Sequence, residues 1–391
     1  MTEIHPNLSG KIILQVIPDL AAGGAERTTV EMAEAVTGAG GKALVASAGG
    51  RLEEDLKAAG GELIRMNAAS KNPFTIRTNA RKLARLVTER QIDLIHARSR
   101  APGWSAYMAA QRTDTPFVTT YHGAYSGTSG LKRKYNSVMA KGDLVIANSE
   151  WTAAHVHEVH GTAKERLITI PRGVDFSVFD PGKVTMRRTS KLAASWGIPE
   201  DDTRLTLVLP GRLTDWKGQK VAIEALSLLD REERANLHLA LPGDDQGRAK
   251  YRGDLIDMNE TRHLSANVSI TGHCEDMPAA YALADIVLAP SKRPEAFGRV
   301  AAEASAMGKP VIVADHGGQR ETVVEGETGI RVDPGSAPSL AAAIRTLIHL
   351  PKDAREAMGQ AGRDYVLTRF SKKQLQTATL GVYARVLKLK S

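Results

Sequence analysis

Cysteine is nearly missing from this 391-residue chain: Cys274 stands alone, so no disulfide can form within it. That suits a reducing, cytoplasmic setting. No stretch reaches the roughly 18 apolar residues of a membrane-spanning helix, and none is expected. The start, MTEIHPNLSGK, has no basic segment followed by an apolar one, so no secretory signal is expected. Aromatic residues are 5% of the chain. With no nucleic-acid reading motif either, a basic nucleic-acid binder is not the expected class. No Asp-x-Asp pair occurs, and no bound metal is expected. The first glycine-rich turn is not the Gly-x-Gly-x-x-Gly fingerprint, because Gly23 and Gly24 are adjacent.

What is present is a globular composition, 42% hydrophobic and 25% charged. The length exceeds one ordinary core, which predicts two domains. The net charge of +8 fits an anionic lipid surface, nucleic acid, a phosphorylated substrate, or simple solubility.

The chain is organised around Ser291 to Glu303. The apolar run Ala284 to Pro290 reads as a buried strand, a helix starts near Gly298 and stops at Gly308, and Val311 to Ala314 reads as the next strand. Ligands of such parallel units bind outside the carboxyl ends of the strands. Unpaired N–H groups from Phe297 to Val300, at the positive end of the helix, suit a phosphate. Glu295 and Glu303 lie too far apart for one carboxylate dyad. They can contact separate hydroxyl-rich parts of one ligand, or be a capping acid and a solvated helix residue.

The same alternation runs through the rest. Lys11 to Pro18 is a first strand, followed by Gly23-Gly24 and a helix. The amphipathic helix Pro73 to Gln91 places Leu83, Leu86 and Val87 on one side and Arg77, Arg81, Lys82, Arg85 and Arg90 elsewhere. It reads as a surface for anionic membrane or as a docked helix with a solvated basic face. Lys132-Arg133-Lys134 has the same two readings, lipid contact or solvated turn. The strand Ile92 to Ala97 ends in Arg98, Arg100 and Trp104, an anion-and-sugar pattern. The strand Pro116 to Thr120 ends in Tyr121-His122-Gly123. Later, Gly211-Arg212 and Lys217-Gly218 follow the strand Leu205 to Leu209. Arg can bind two phosphate oxygens and Lys supplies a point charge; the other reading is a basic loop with a helix cap. Cys274 has no nearby cysteine for a metal pair and reads as structural. Rising charge and weak periodicity after Pro181 place the domain boundary near 185.

Glu295 and Glu303, with Phe297-Gly298 after the first, resemble the signature of the family 4 retaining glycosyltransferases. Gly23-Gly24-Ala25-Glu26-Arg27, Arg172-Gly173-Val174-Asp175, Gly211-Arg212 with Lys217-Gly218, and Gly317-Gly318 resemble its other motifs, in family order. Arg172 stands where the family more often has Asn. The resemblance implies an α/β protein of GT-B fold: two Rossmann-like α/β/α domains facing across a cleft, with a C-terminal helix crossing back to the first. The expected domains are 1–185, completed by 372–391, for the acceptor, and 186–371 for the nucleotide-sugar. It implies catalytic roles for His122, Arg212, Lys217 and Glu295. Donor contacts are expected from Gly23, Gly24, Gly211, His273, Phe297, Gly298, Arg299, Val300 and Glu303, with Glu303 on the ribose. His96 to Ser105 is similar, more narrowly, to bacterial lipopolysaccharide-core transferases; Arg98, Arg100 and Trp104 of that segment, and Tyr121 at the end of the next strand, are expected at the acceptor. The implied activity is hexosyl transfer, mannose or glucose, from a GDP- or UDP-linked donor to a glycolipid core acceptor. It needs no cofactor beyond that substrate, and takes place in the cytoplasm with peripheral contact to an anionic membrane. The alternatives are a soluble transferase acting on a sugar phosphate or polysaccharide, and a nucleotide-sugar epimerase of similar fold.

Overall fold

The computed structural model describes residues 6–21, 23–123, 125 and 129–388. The chain forms two compact units, Met1–Gly173 with Lys372–Ser391, and Val174–Ser371. The final three residues of the expected 372–391 segment lie outside the described ones.

The first unit is built on seven parallel strands: β1 (Ile12–Val16), β2 (Lys42–Ser47), β3 (Glu62–Arg65), β4 (Leu94–Ala97), β5 (Phe117–Tyr121), β6 (Leu144–Ala147) and β7 (Leu167–Thr169). Their order is β3-β2-β1-β4-β5-β6-β7. The central strands are apolar almost throughout because helices cover both faces, the usual consequence of an all-parallel sheet. The sheet grows outward from β1 in one direction and then, from β4, in the other. This reversal leaves a crevice at the carboxyl ends of β1 and β4. The helix Gly24–Gly38 follows β1, and the helix Arg100–Thr113 follows β4.

The helix Pro73–Arg90 illustrates how local sequence fixes an element. Asn72 caps it by accepting from the Phe74 and Thr75 N–H groups, and Pro73 occupies the first turn. Leu83 and Val87 are buried with Ala106 and Ala109 of the neighbouring helix, while Arg77, Arg81, Lys82, Arg85 and Arg90 are exposed. The apolar side is therefore docked, and the basic side is open.

The second unit carries six parallel strands: β8 (Leu205–Val208), β9 (Leu237–Pro242), β10 (Val268–Gly272), β11 (Ile286–Ala289), β12 (Val311–Ala314) and β13 (Gly329–Val332), in the order β10-β9-β8-β11-β12-β13. The direction reverses between β8 and β11. The loops after those two strands hold Gly211 to Lys217 and Ser291 to Gly298, which therefore share one crevice, whereas His273 follows the edge strand β10 and Gly23 and Gly24 belong to the first unit.

The chain divides after Gly173, twelve residues before the expected boundary at 185. Val174 is buried with Phe297 and Phe370, and Phe176 and Phe179 pack on the same cluster. The charged stretch that suggested a linker is the helix Met186–Ser195. Its Arg188 forks onto Asp276, with Nη2 2.6 Å from Oδ1, and its Leu192 and Ala193 pack beside Tyr281. Charge there marks an amphipathic helix held by its apolar side. At the other end, the helix Lys372–Val386 returns to the first unit, where Leu375, Leu380, Val382 and Tyr383 share a core with Ile13, Ile17 and Val30.

Candidate functional site

In the second unit, β8 delivers Gly211 and Arg212, and a short turn, Asp215–Lys217, delivers Lys217. Gly218 then starts the helix Gln219–Ser227 at φ 84°, with its Cα so close to the Pro290 carbonyl that a Cβ would lie 2.3 Å from that oxygen. Only glycine fits, and this contact sets the β8 loop against the β11 loop. Lys217 Nζ lies 2.8 Å from Glu295 Oε1, and each side chain is 13% exposed. Ser291 Oγ donates to the same carboxylate oxygen at 2.5 Å. Burial would raise the Glu295 carboxyl, but Lys217, the Ser291 hydroxyl and His316 hold it below the ordinary value. Glu295 is thus an ionised, oriented acceptor. Arg212 is exposed, and its guanidinium makes no ion pair among the described residues.

The β11 loop is pinned from the other side. The Glu295 carbonyl accepts from Gly318 N–H at 2.7 Å. Gly298, at φ 99°, caps the helix Arg299–Ala306, and a Cβ there would lie 2.6 Å from Gln319 Cα. No side chain caps that helix. Phe297 is buried edge-on against Phe370 at 5.2 Å, so only its backbone can face a ligand. Val300 packs on the neighbouring core. Glu303 is buried rather than solvated: Arg299 Nη2 donates to its Oε1 at 2.6 Å and the Tyr281 hydroxyl to its Oε2 at 3.1 Å. His273 is exposed after β10, at the edge of the sheet and two strands from the reversal.

In the first unit, Gly23 precedes the helix Gly24–Gly38 in extended conformation, and the Glu26 carboxylate folds back beside it. Arg98, directly after β4, is 2% exposed. His122, after β5, is held by Arg172, whose Nη2 lies 3.0 Å from Nδ1. Arginine can only donate, so Nδ1 accepts and the His122 proton resides on Nε2. Burial foremost, then the charges of Arg172 and Arg98, push this imidazole well below its ordinary pKa. His122 is therefore a neutral hydrogen-bond donor near neutral pH. Asn148, with its amide oxygen turned to Arg172, accepts from Nε at 3.2 Å.

The remaining residues expected at the acceptor are more occupied. Arg100 donates to Asn136 Oδ1 at 2.9 Å and lies 4.0 Å over the Tyr125 ring. Trp104 donates to the Tyr135 carbonyl at 3.0 Å. Tyr121 is fully buried, with its hydroxyl 3.3 Å from His160 Nε2, and offers no surface to a ligand. Sequence reasoning missed Ser291 as the partner of Glu295, Tyr281 as the partner of Glu303, and a buried chain in which His96 joins Tyr383 and Thr120, each at 2.7 Å. Ser291 was within reach of inspection, four positions before Glu295. The His96–Tyr383 pair spans 287 positions and left no local signal.

Two parallel α/β units, each with glycine-rich and charged loops at the reversal of its sheet, define the class of GT-B glycosyltransferases. Residues 22–178 match the family described as Glycosyltransferase Family 4, and residues 191–365 match Glycosyl transferases group 1. A D-inositol 3-phosphate glycosyltransferase of Xylanimonas cellulosilytica is 30% identical over 312 residues, which are 76% of this chain and 72% of that one. A crystal structure of a glycosyltransferase from Rickettsia africae superposes with a TM-score of 0.87 at 33% identity, covering 97% of this chain and 99% of that one. Anabaena HepE, solved in complex with UDP and glucose, superposes with a TM-score of 0.83 at 25% identity, covering 96% and 100%. The chain belongs to the family 4 glycosyltransferases.

Proposed function

We propose that the protein is a retaining hexosyltransferase that uses a UDP- or GDP-linked sugar, with glucose or mannose as the sugar, and a lipopolysaccharide-core glycolipid as acceptor. The observation that carries the donor half is the arrangement of Arg212, Lys217 and the ionised Glu295 at the β8/β11 reversal. HepE, solved with UDP and glucose, supports a nucleotide-sugar donor.

In this reading Arg212 and Lys217 neutralise the charge that develops on the leaving diphosphate. Glu295 accepts from sugar hydroxyls, Glu303 holds the ribose, and the first turn from Gly298 faces the diphosphate. The acceptor oxygen bonds to the anomeric carbon on the face from which the diphosphate leaves. The acceptor proton passes to the departing phosphate oxygen. No protein nucleophile is required, and turnover is expected to persist with EDTA. The exposed basic side of the helix Pro73–Arg90, and Lys132, Arg133 and Lys134, suit peripheral contact with an anionic bilayer. A second reading, a sugar phosphate as acceptor, is favoured by the D-inositol 3-phosphate glycosyltransferase relative.

The test is thermal stabilisation and donor hydrolysis across UDP-, GDP- and ADP-sugars, with Lys217→Ala and Glu295→Ala alongside. One donor is expected to stabilise the protein selectively, and Lys217→Ala to abolish that response. A uniform absence of response, with both variants matching the parent, overturns the donor assignment. Conversion of the donor sugar into its epimer without acceptor overturns the transferase reading.

A further inference from the structure

Arg98 is the largest fully buried side chain among the described residues. Its backbone N–H donates to the Val16 carbonyl at 3.0 Å, extending the β1–β4 ladder by one residue. That places it at the sheet reversal, beside the uncapped start of the helix Gly24–Gly38. Its Nε and Nη2 have no hydrogen-bond partner. No carboxylate pairs with it among the described residues; the Tyr383 hydroxyl, with Glu31 and Glu26 further off, supplies what compensation there is. A buried guanidinium with two unmatched donors is strongly unfavourable. Its neighbour repeats the pattern: His122 Nε2, which carries the ring proton, is also buried without a partner. Arg172, itself anchored by Asn148, holds that imidazole in place. Three buried donors on two side chains, one after β4 and one after the adjacent β5, thus lack an acceptor.

We propose that Arg98 and His122 form a pocket for a phosphoryl group carried by the acceptor substrate. Arg98 Nε–H and Nη2–H lie on one edge of the guanidinium and bind two oxygens; His122 Nε2–H binds a third. Three donors from two planes match the peripheral oxygens of a phosphomonoester better than the two of a carboxylate. The donor diphosphate already has Arg212 and Lys217, on the other unit. This inference rests on the glycosyltransferase reading and adds the chemical class of the acceptor. Either a free sugar phosphate or a phosphorylated glycolipid supplies that group.

The experiment compares the full-length parent, Arg98→Gln, Arg98→Lys and Lys217→Ala by thermal melting with inorganic phosphate and, separately, with UDP. Phosphate is expected to stabilise the parent and Lys217→Ala but not Arg98→Gln. UDP is expected to stabilise the parent and Arg98→Gln but not Lys217→Ala. Without ligand, Arg98→Gln is expected to melt at or above the parent temperature, because an unmatched buried charge has gone. Arg98→Lys keeps the charge without the fork and should bind phosphate about tenfold more weakly. A phosphate response that survives Arg98→Gln, or is missing from the parent, overturns the proposal while leaving the donor site standing. Loss of the UDP response from Arg98→Gln, or a lower melting temperature for it without ligand, makes Arg98 a structural or donor-site residue and also overturns it. Transfer to a hexose monophosphate and to a core glycolipid, each with and without its phosphate, separates the sources. The KM penalty of Arg98→Gln should appear only with the phosphorylated member of the pair that is used.

Discussion

Glu295 meets Lys217 and Ser291 in a place where neither charge would be stable alone. Removing the cation by Lys217→Ala leaves a buried carboxylate with one hydroxyl donor. Breaking such a pair from one side costs about 3–5 kcal/mol, so Lys217→Ala is expected to be less stable than the Lys217→Ala, Glu295→Ala double variant. Urea denaturation of the four corners of that cycle reads this directly. Activity should fall about 100- to 1000-fold in Lys217→Ala, the usual consequence of deleting one group that stabilises transition-state charge. The pH dependence follows from the same pair. Because the folded state lowers the Glu295 pKa from its ordinary 4.5, its stabilising contribution is complete above that value. It disappears as pH falls through the lower, folded-state value. In Lys217→Ala burial dominates and the carboxyl pKa rises, so that variant should lose stability at a higher pH than the parent.

At the scale of elements, the loops that hold these residues are fixed by close backbone approach. Gly298→Ala must leave φ 99° or push a Cβ into Gln319. A cost of at least about 1–2 kcal/mol is expected, with weaker UDP binding measured by calorimetry because the turn into the helix Arg299–Ala306 shifts. A second expectation concerns Glu233, which caps the helix Arg231–Ala235 in a reciprocal box with Asp230 and binds Arg345 of the helix Ala337–His349 at 2.7 and 3.0 Å. Those bonds, the Arg345 contact foremost, pull its carboxyl down to about 2. Glu233→Gln should cost about 1–2 kcal/mol at neutral pH, since Arg345 is partly solvated. Parent and variant should converge in stability as pH falls from 4.5 toward 2. Much of this scale was legible beforehand. β12 was readable to the residue because both faces of the strand are covered, which gives a continuous apolar run. The charged residues of the β8 and β11 loops stood out because they cluster beside glycines just after apolar runs. Their partners did not. Ser291 and Tyr281 carry no pattern of their own, and the boundary at 185 was misread because the helix Met186–Ser195 has no fully buried residue and so resembles a linker in composition.

For the whole molecule, the decisive element is the last helix. Its Leu375, Leu380, Val382 and Tyr383 lie in the first unit's core. At about 1.5–3 kcal/mol for each buried side chain, their sum is comparable with the 5–15 kcal/mol that separates folded from unfolded domains. A chain stopped after Ser371 is therefore expected to keep a protease-resistant second unit while the first unit exchanges its amides freely, as hydrogen exchange read by mass spectrometry would detect. Tyr383→Phe is the mild version. It leaves the His96 imidazole short of one partner and should cost about 1–2 kcal/mol, confined to the first unit.

The return of that helix also fixes a calendar for biosynthesis. The second unit is one unbroken span, Val174–Ser371, and is complete once that span has left the ribosome. The first unit, although translated earlier, waits for residues from Lys372 onward. The half made first is finished last, and until then its unsealed core is what chaperones would meet. A prematurely terminated chain can present a folded second unit, but not a first unit in which Arg98 and His96 have their tyrosine.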